Sequence, residues 1–190
     1  MSTGEVKSID DEIPFDLPEG WEWSRFGSVV TLMSGTTYPT EKELLSGNRL
    51  YVKVGDMNLP ENENEIVTSS RYLDDYSISH LVPTNSVIFP KRGGAIATNK
   101  KKLVLRNEII IDLNTMAFTH IFPMALMYCY YWFSSIDLGK INSGSSVPQI
   151  NNKDITPLLF PVPPQVEQER IAGKIQELYD TISTMEASLS

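Results

Sequence analysis

Six apolar residues near the end of the chain constrain the fold more than any other feature. Ile171, Ile175, Leu178, Ile182, Met185 and Leu189 are separated by 4, 3, 4, 3 and 4 residues. That rhythm is the a/d repeat of a coiled coil. Pro163-Pro164 stops whatever precedes it, and Glu167 and Glu169 fall in the first turn, where negative charge suits the helix dipole. The spacing predicts a helix from Gln165 to Ser190, roughly 39 Å long at 1.5 Å per residue. The apolar stripe is narrow, as a seam for a partner helix is, although a helix folded back on its own domain is the other geometry. Compact folding therefore belongs to the residues before 164.

Those residues suffice for one domain. The chain has 190 residues, 41% of them hydrophobic and 21% charged, which is globular rather than disordered. A single cysteine, Cys129, excludes an internal disulfide framework and any CxxC zinc site, and fits a reducing compartment. Residues 1–16 are polar and acidic without an apolar h-region, and read as a flexible arm rather than a signal peptide. Leu17-Pro18-Glu19-Gly20-Trp21 then turns into an ordered domain covering residues 17–163.

Short strands dominate that domain. Phe26 to Met33 is compatible with one, and Arg49 to Val54 alternates Leu50, Val52 and Val54 with polar neighbours. Ser86 to Phe89 is an apolar run suited to a buried strand, closed by Pro90, and Leu103 to Leu105, Ile109 to Leu113 and Leu158 to Val162 add others. Residues 114–136 carry no Asp, Glu, Lys or Arg, but His120, Pro123 and a tyrosine-rich centre argue against a membrane span. They predict a buried helix from about Pro123 to Ser135 instead. The fold class is α+β: a mixed, strongly twisted sheet with a few packed helices, followed by a coiled-coil helix over 164–190.

The net charge of −8 is uneven. Residues 1–65 hold thirteen acids and five bases, whereas residues 76–107 hold Lys91, Arg92, Lys100, Lys101, Lys102 and Arg106 with no acid. Phosphate responds to local potential, because charges are screened beyond about 8–10 Å. A basic island in an acidic chain therefore admits nucleic acid, though a solvated basic loop is the plainer reading. No GxGxxG, P-loop or HExxH motif occurs, and His80 and His120 are isolated. No metal or cofactor is expected. A binding module is favoured over an enzyme, with a small hydrolase built on the acids of Glu61 to Glu65 as the weakest alternative.

Several segments carry a resemblance when taken in order. They are Leu17-Pro18-Glu19-Gly20-Trp21, Tyr51-Val52-Lys53-Val54-Gly55-Asp56-Met57, Val87-Ile88-Phe89-Pro90-Lys91-Arg92-Gly93-Gly94 and Pro148-Gln149-Ile150-Asn151-Asn152-Lys153-Asp154-Ile155. Pro161-Val162-Pro163-Pro164-Gln165 with Glu167-Gln168-Glu169-Arg170-Ile171 follows. The chain resembles the specificity subunits of type I restriction-modification enzymes, with one target recognition domain and the start of a spacer helix. The resemblance implies a non-catalytic, prokaryotic, cytoplasmic protein that reads one half of a split double-stranded DNA sequence. It implies an antiparallel partner helix from a second half, docking of methyltransferase (modification) subunits, and restriction subunits joining through the assembly. It leaves open a fragment, a truncated product or a natural half-subunit. An assembly or anti-restriction partner that binds through its helix without reading DNA is the competing reading.

Residue roles follow from chemistry and resemblance together. Lys91 and Arg92 lie beyond a strand end beside Gly93 and Gly94, where glycine lets backbone approach a duplex or simply makes a turn. Arg92 can grip guanine O6 and N7 with two prongs. Thr98 and Asn99 can reach bases or phosphates, while Lys100, Lys101 and Lys102 suit phosphate clamps. Thr36, Thr37 and Tyr38 form a second candidate contact loop, or a plain connection, and Ser143, Ser145, Ser146 and Gln149 form a third. The seam Ile171, Ile175, Leu178, Ile182, Met185 and Leu189 is assigned to a partner helix. Five or six free cations predict a salt dependence of log affinity with slope on the order of −4 to −5.

Overall fold

The computed structural model describes residues 10–121, 124–143 and 147–189. In chain order the elements are β1 (Glu22–Arg25), α1 (Phe26–Val29), β2 (Val30–Ser34), β3 (Arg49–Val52), β4 (Tyr72–Leu73), β5 (Leu81–Val82), β6 (Ser86–Pro90), β7 (Lys102–Val104), β8 (Ile109–Ile111) and β9 (Thr115–His120). There follow α2 (Leu126–Ser135), α3 (Leu138–Ile141), α4 (Asn152–Ile155), β10 (Leu159–Val162) and α5 (Gln165–Leu189). The α+β expectation holds, but the strands divide among three sheets. One is antiparallel in the order β2-β9-β6-β7, and a second is mixed in the order β4-β3-β8-β5 with β3 and β8 parallel; β1 and β10 form a separate ribbon.

Period-two alternation dictates how the two larger sheets stack. On β6, Val87 and Phe89 join a cluster with Tyr128, Cys129 and Phe133 of α2, while Ile88 between them joins a second cluster with Val52, Ile109 and Ile111. On β9, Met116 and Phe118 take the first side and Ala117 the second. Ile110 of β8 points away again, into a third cluster with Tyr51 and Leu73. The layers are therefore helix, antiparallel sheet, mixed sheet and an outer cover containing Tyr38 and Tyr76. A sheet covered on both faces needs continuous apolar strands. Ser86–Pro90 is buried at every residue, and the lone hydroxyl of Ser86 is met by that of Thr119 at 2.6 Å.

Several boundaries differ from the sequence expectation. Phe26 to Val29 coils as α1 before β2 begins, because Phe26 turns into the aromatic cluster of Phe118, Trp132, Phe133 and Phe160. Helix α2 starts at Leu126, and the expected start, Pro123, lies outside the described residues, as do residues 1–9 of the arm. Cys129 is fully enclosed, and burial pushes its thiol up to about 12.

The chain passes between the two stacked sheets at Gly35. Its N–H donates to the carbonyl of Thr115, and the next N–H, of Thr36, donates to the carbonyl of Ile111. A Cβ at Gly35 would lie 1.9 Å from the carbonyl oxygen of Asp112 and 2.6 Å from that of Ile111. Backbone cannot yield to such an overlap as a flexible side chain can. Gly35→Ala is therefore expected to destabilise the domain by about 3 kcal/mol or more, read as a lowered urea midpoint. An unchanged midpoint would show that the two sheets separate freely at this crossing.

Candidate nucleic-acid interface

Three stretches far apart in sequence meet around Lys91 and Arg92. Residues 91–93 pair with residues 148–150: Arg92 bridges Gln149, Gly93 N–H donates to Pro148, and Ile150 N–H donates to Lys91. Ile150 is fully buried and anchors this small ladder in the main core, so its neighbour Gln149 stays at the surface. The guanidinium of Arg92 approaches the Gln149 amide oxygen at 3.4 Å, and the amide nitrogen of Gln149 donates to Asn151 at 2.8 Å. On the other side the Lys91 ammonium donates to the hydroxyl of Ser34 at 3.0 Å, at the head of the segment Thr36–Tyr38. Partial burial, and then the charge of Arg92, lowers the Lys91 pKa from its ordinary value.

Other expected contact residues cluster here too. Ser143 N–H donates to the carbonyl of Gln149, and its hydroxyl donates to Asp154. Gly93 adopts a positive φ of 72°, and a Cβ at Gly93 or Gly94 would meet only open space. The turn is thus glycine for its backbone geometry as well as for a bare outer surface. Tyr38 sits at the far end of its segment, hydrogen-bonded to His80 Nδ1 at 2.7 Å. Ser145 and Ser146 lie outside the described residues.

The lysine triplet is not the exposed clamp that its sequence predicts. Lys101 is only 6% exposed; its ammonium donates to the carbonyl of Ile136 and to Asn99 Oδ1 and lies over the ring of Phe133. Lys102 is 8% exposed, and its ammonium donates to the carbonyl of Glu63. Both stems run through packed interior and spend their charge on backbone oxygens. Asn99 is likewise committed: it takes a left-handed φ of 54° to end the 3-10 helix Gly93–Thr98, and its side-chain oxygen accepts from both Lys101 and the N–H of Leu138. The reading of Asn99 as a base contact and of Lys101 and Lys102 as phosphate clamps is corrected accordingly. Arg106 pairs with Glu65 at 2.7 Å, Lys100 reaches Asn58, and the hydroxyl of exposed Thr98 turns back to Ala95. Three cations of the island, Lys91, Arg92 and Lys100, keep an outward role.

The helix α5 also divides. Its first turns dock on α2: Gln168, 4% exposed, accepts from the N–H of Ala125 and donates to the carbonyl of Pro163, and Ala172 is buried. Tyr131 donates to Gln176 and stacks on Tyr179 at 5.9 Å. Ile171, expected on the partner seam, packs partly against the domain's own core, and Ile175 is half-buried. Leu178, Ile182, Met185 and Leu189 are exposed along the outer half. Among the described residues, no group of His, Cys, Asp and Glu is placed to hold a metal, and no helix is long and apolar enough to cross a membrane.

The chain thus combines two stacked sheets and a small ribbon with a long terminal helix and loops that converge on one surface. The model of the type I restriction modification DNA specificity domain matches residues 18–190, and the chain belongs to that family. It is 28% identical to the EcoAI specificity subunit of Escherichia coli over 93% of this chain and 31% of that protein. It is 24% identical to the MjaIX specificity subunit of Methanocaldococcus jannaschii over 91% of this chain and 41% of that one. Its fold matches a crystal structure of the HsdS subunit from Thermoanaerobacter tengcongensis with a TM-score of 0.76 at 18% identity, covering 93% of this chain and 42% of that chain. A chain from a structural study of type I complex assembly and conformational transition gives 0.77 at 19%, covering 92% and 42%. The chain thus spans less than half the length of these relatives.

Sequence inspection missed Ser34, the polar partner of Lys91, because a serine at a strand end carries no signal of its own. The charge count also overstated the patch, since it could not see which lysines turn inward.

Lys101 and Arg92 should separate cleanly. Lys101→Met strands the carbonyl of Ile136 and leaves the oxygen of Asn99 with the N–H of Leu138 alone, costing about 1–3 kcal/mol of stability. Burial lowers the Lys101 pKa to about 8, against 10.5 for a free lysine. Between those values the unfolded chain holds more protons, so wild-type stability should rise relative to Lys101→Met as pH goes from 8 to 9.5. Urea unfolding at the two pH values checks the sign; Arg92→Ala, at an exposed site, should leave the unfolding free energy at both pH values within about 0.5 kcal/mol of wild type.

Proposed function

We propose that this chain reads one half of a split double-stranded DNA target as the specificity component, or half of it, of a type I restriction-modification system. Residues 17–163 form the reader and 164–190 the spacer helix. The convergence of the segments around Ser34, Arg92 and Gln149 on one surface, in a member of a DNA specificity family, carries this reading. Arg92 and Gln149 are the residue types that grip guanine and adenine edges with two prongs. Lys91 and Lys100 contact phosphate and set register. Thr36, Thr37, Gly93, Gly94 and Ser143 supply backbone and hydroxyl contacts around that pair.

The chain carries no chemistry in this scheme. Methyltransferase subunits bring it, and restriction subunits join through them. The exposed seam of Leu178, Ile182, Met185 and Leu189 packs antiparallel against a helix of a second half, which spaces the two readers. The setting is the prokaryotic cytoplasm.

Binding to random duplexes, followed by sequencing of the bound pool at low salt, tests the reading directly. With three outward cations, log affinity should fall against log salt with a slope of about −3, shallower than the basic count predicts. Arg92→Ala should relax preference at one base pair, by about 1–3 kcal/mol of discrimination. A flat salt response with no selected sequence would favour an assembly module that touches no DNA. Ile182→Asp should weaken self-association by about 2 kcal/mol in sedimentation experiments while the bases selected by each reader stay the same.

A further inference from the structure

The segment Ser34–Tyr38 has two ends, and only one meets the basic loop. Ser34 bonds Lys91, whereas Tyr38 clasps the turn Ser77–His80: its hydroxyl accepts the N–H of Ser77 at 3.1 Å and bonds His80 Nδ1, with the two rings edge to face. We propose that the turn Ser77–His80 is a second reading element, with Ile78 and Ser79 reaching base edges beside those read by Arg92. This rests on the DNA-reading function above and extends it to a segment with no lysine or arginine.

Position is the first argument. Ser34 and Tyr38 are four residues apart, at most about 14 Å. That is the rise of about four base pairs, so one duplex lying along this rim meets both elements. Chemistry is the second. A single exposed isoleucine is ordinary on a protein surface. Ile78 differs in being 81% exposed at the tip of a turn that is held at both sides by one tyrosine. A preformed apolar tip suits the methyl group of thymine, and the hydroxyls of Ser77 and Ser79, 2.8 Å apart, suit either donor or acceptor edges. Charge is the third. Asp75 is paired with Lys42 at 2.5 Å, and Asp74 accepts the N–H of Asn48, so both adjacent acids are occupied. With no lysine or arginine from residue 72 to 90, the turn adds no fixed positive charge toward phosphate, and its apolar tip and paired hydroxyls are suited to base edges.

The test is duplex selection from a random pool by the full chain and its Ile78→Ser/Ser79→Ala and Arg92→Ala variants, with circular dichroism as the check on folding. Ile78→Val serves as a milder variant. The double variant should change preference on the order of tenfold at one or two positions, distinct from the position that Arg92→Ala relaxes, with an unchanged salt slope. Wild-type preference retained at every position overturns this inference and leaves the general reading intact. A uniform loss across all sequences also overturns it, by making the turn a structural support. If the wild-type chain selects no sequence, both fall together.

Discussion

Two passages of the chain between sheets lean on each other at one point, and the surface proposed to read DNA is built outward from it. The segment after β2 leaves the antiparallel sheet at Gly35, and the turn Asp112–Asn114 carries the chain from β8 in the mixed sheet to β9 in the antiparallel one. Gly35 and Thr36 donate to Thr115 and Ile111, so the first passage is sewn to the second by backbone. Asp112 holds the turn closed, accepting from Thr115 Oγ1 and from the backbone and side chain of Asn114. Lys91 touches both passages: its N–H donates to the carbonyl of Asn114, and its ammonium donates to Ser34. The basic loop is therefore placed by the same crossing that locks the sheets. A recognition loop set on such a scaffold loses little entropy when it binds.

Burying two of the three consecutive lysines changes what the surface can do. An acidic chain with six outward cations would hold any duplex by bulk attraction. With Lys101 and Lys102 inward and Arg106 paired to Glu65, three remain, so in the proposed reading the sequence-independent part of binding is smaller and discrimination falls to groups that hydrogen-bond in fixed geometry. Lys101 has a structural use instead: it ties the end of the 3-10 helix Gly93–Thr98 to the C-terminal end of α2. A cation suits the partial negative charge there. The residue that looked most electrostatic in the sequence thus positions the loop that carries Arg92.

What the sequence made legible was whatever depends on near neighbours along the chain. The run Ser86–Phe89, the alternation from Arg49 and the heptad of α5 each announce themselves within a dozen residues; the first forms a strand and the last a helix as expected, while the alternation gives a strand only over Arg49–Val52, with Val54 opening a 3-10 helix and Tyr51 buried. The basic loop with its two glycines was legible for the same reason. The inward turn of Lys101 and Lys102 was not, because it depends on Ile136 and Glu63, some 35 and 39 residues away. Nor was the meeting of Arg92 with Gln149, 57 residues on, foreseeable from spacing. The turn at Ser77–His80 carries neither charge nor glycine, and only its clasp by Tyr38 draws it into the site.

The terminal helix shows why its seam stays bare although its base is firmly docked. At about 100° per residue, Gln168, Ala172, Gln176 and Tyr179 fall on one face, the face that meets α2 and its approach. Leu178, Ile182, Met185 and Leu189 fall on a face about a quarter turn away, and Ile171 and Ile175 lie where that stripe begins at the domain's edge. One helix thus carries two separate contacts, the first used by its own domain and the second left over. Because Gln168 bonds both Ala125 and Pro163, the helix cannot rotate about its axis without breaking a buried polar pair. The direction in which the seam faces is thereby fixed relative to Arg92 and Gln149, and a partner helix docked on it would inherit that geometry.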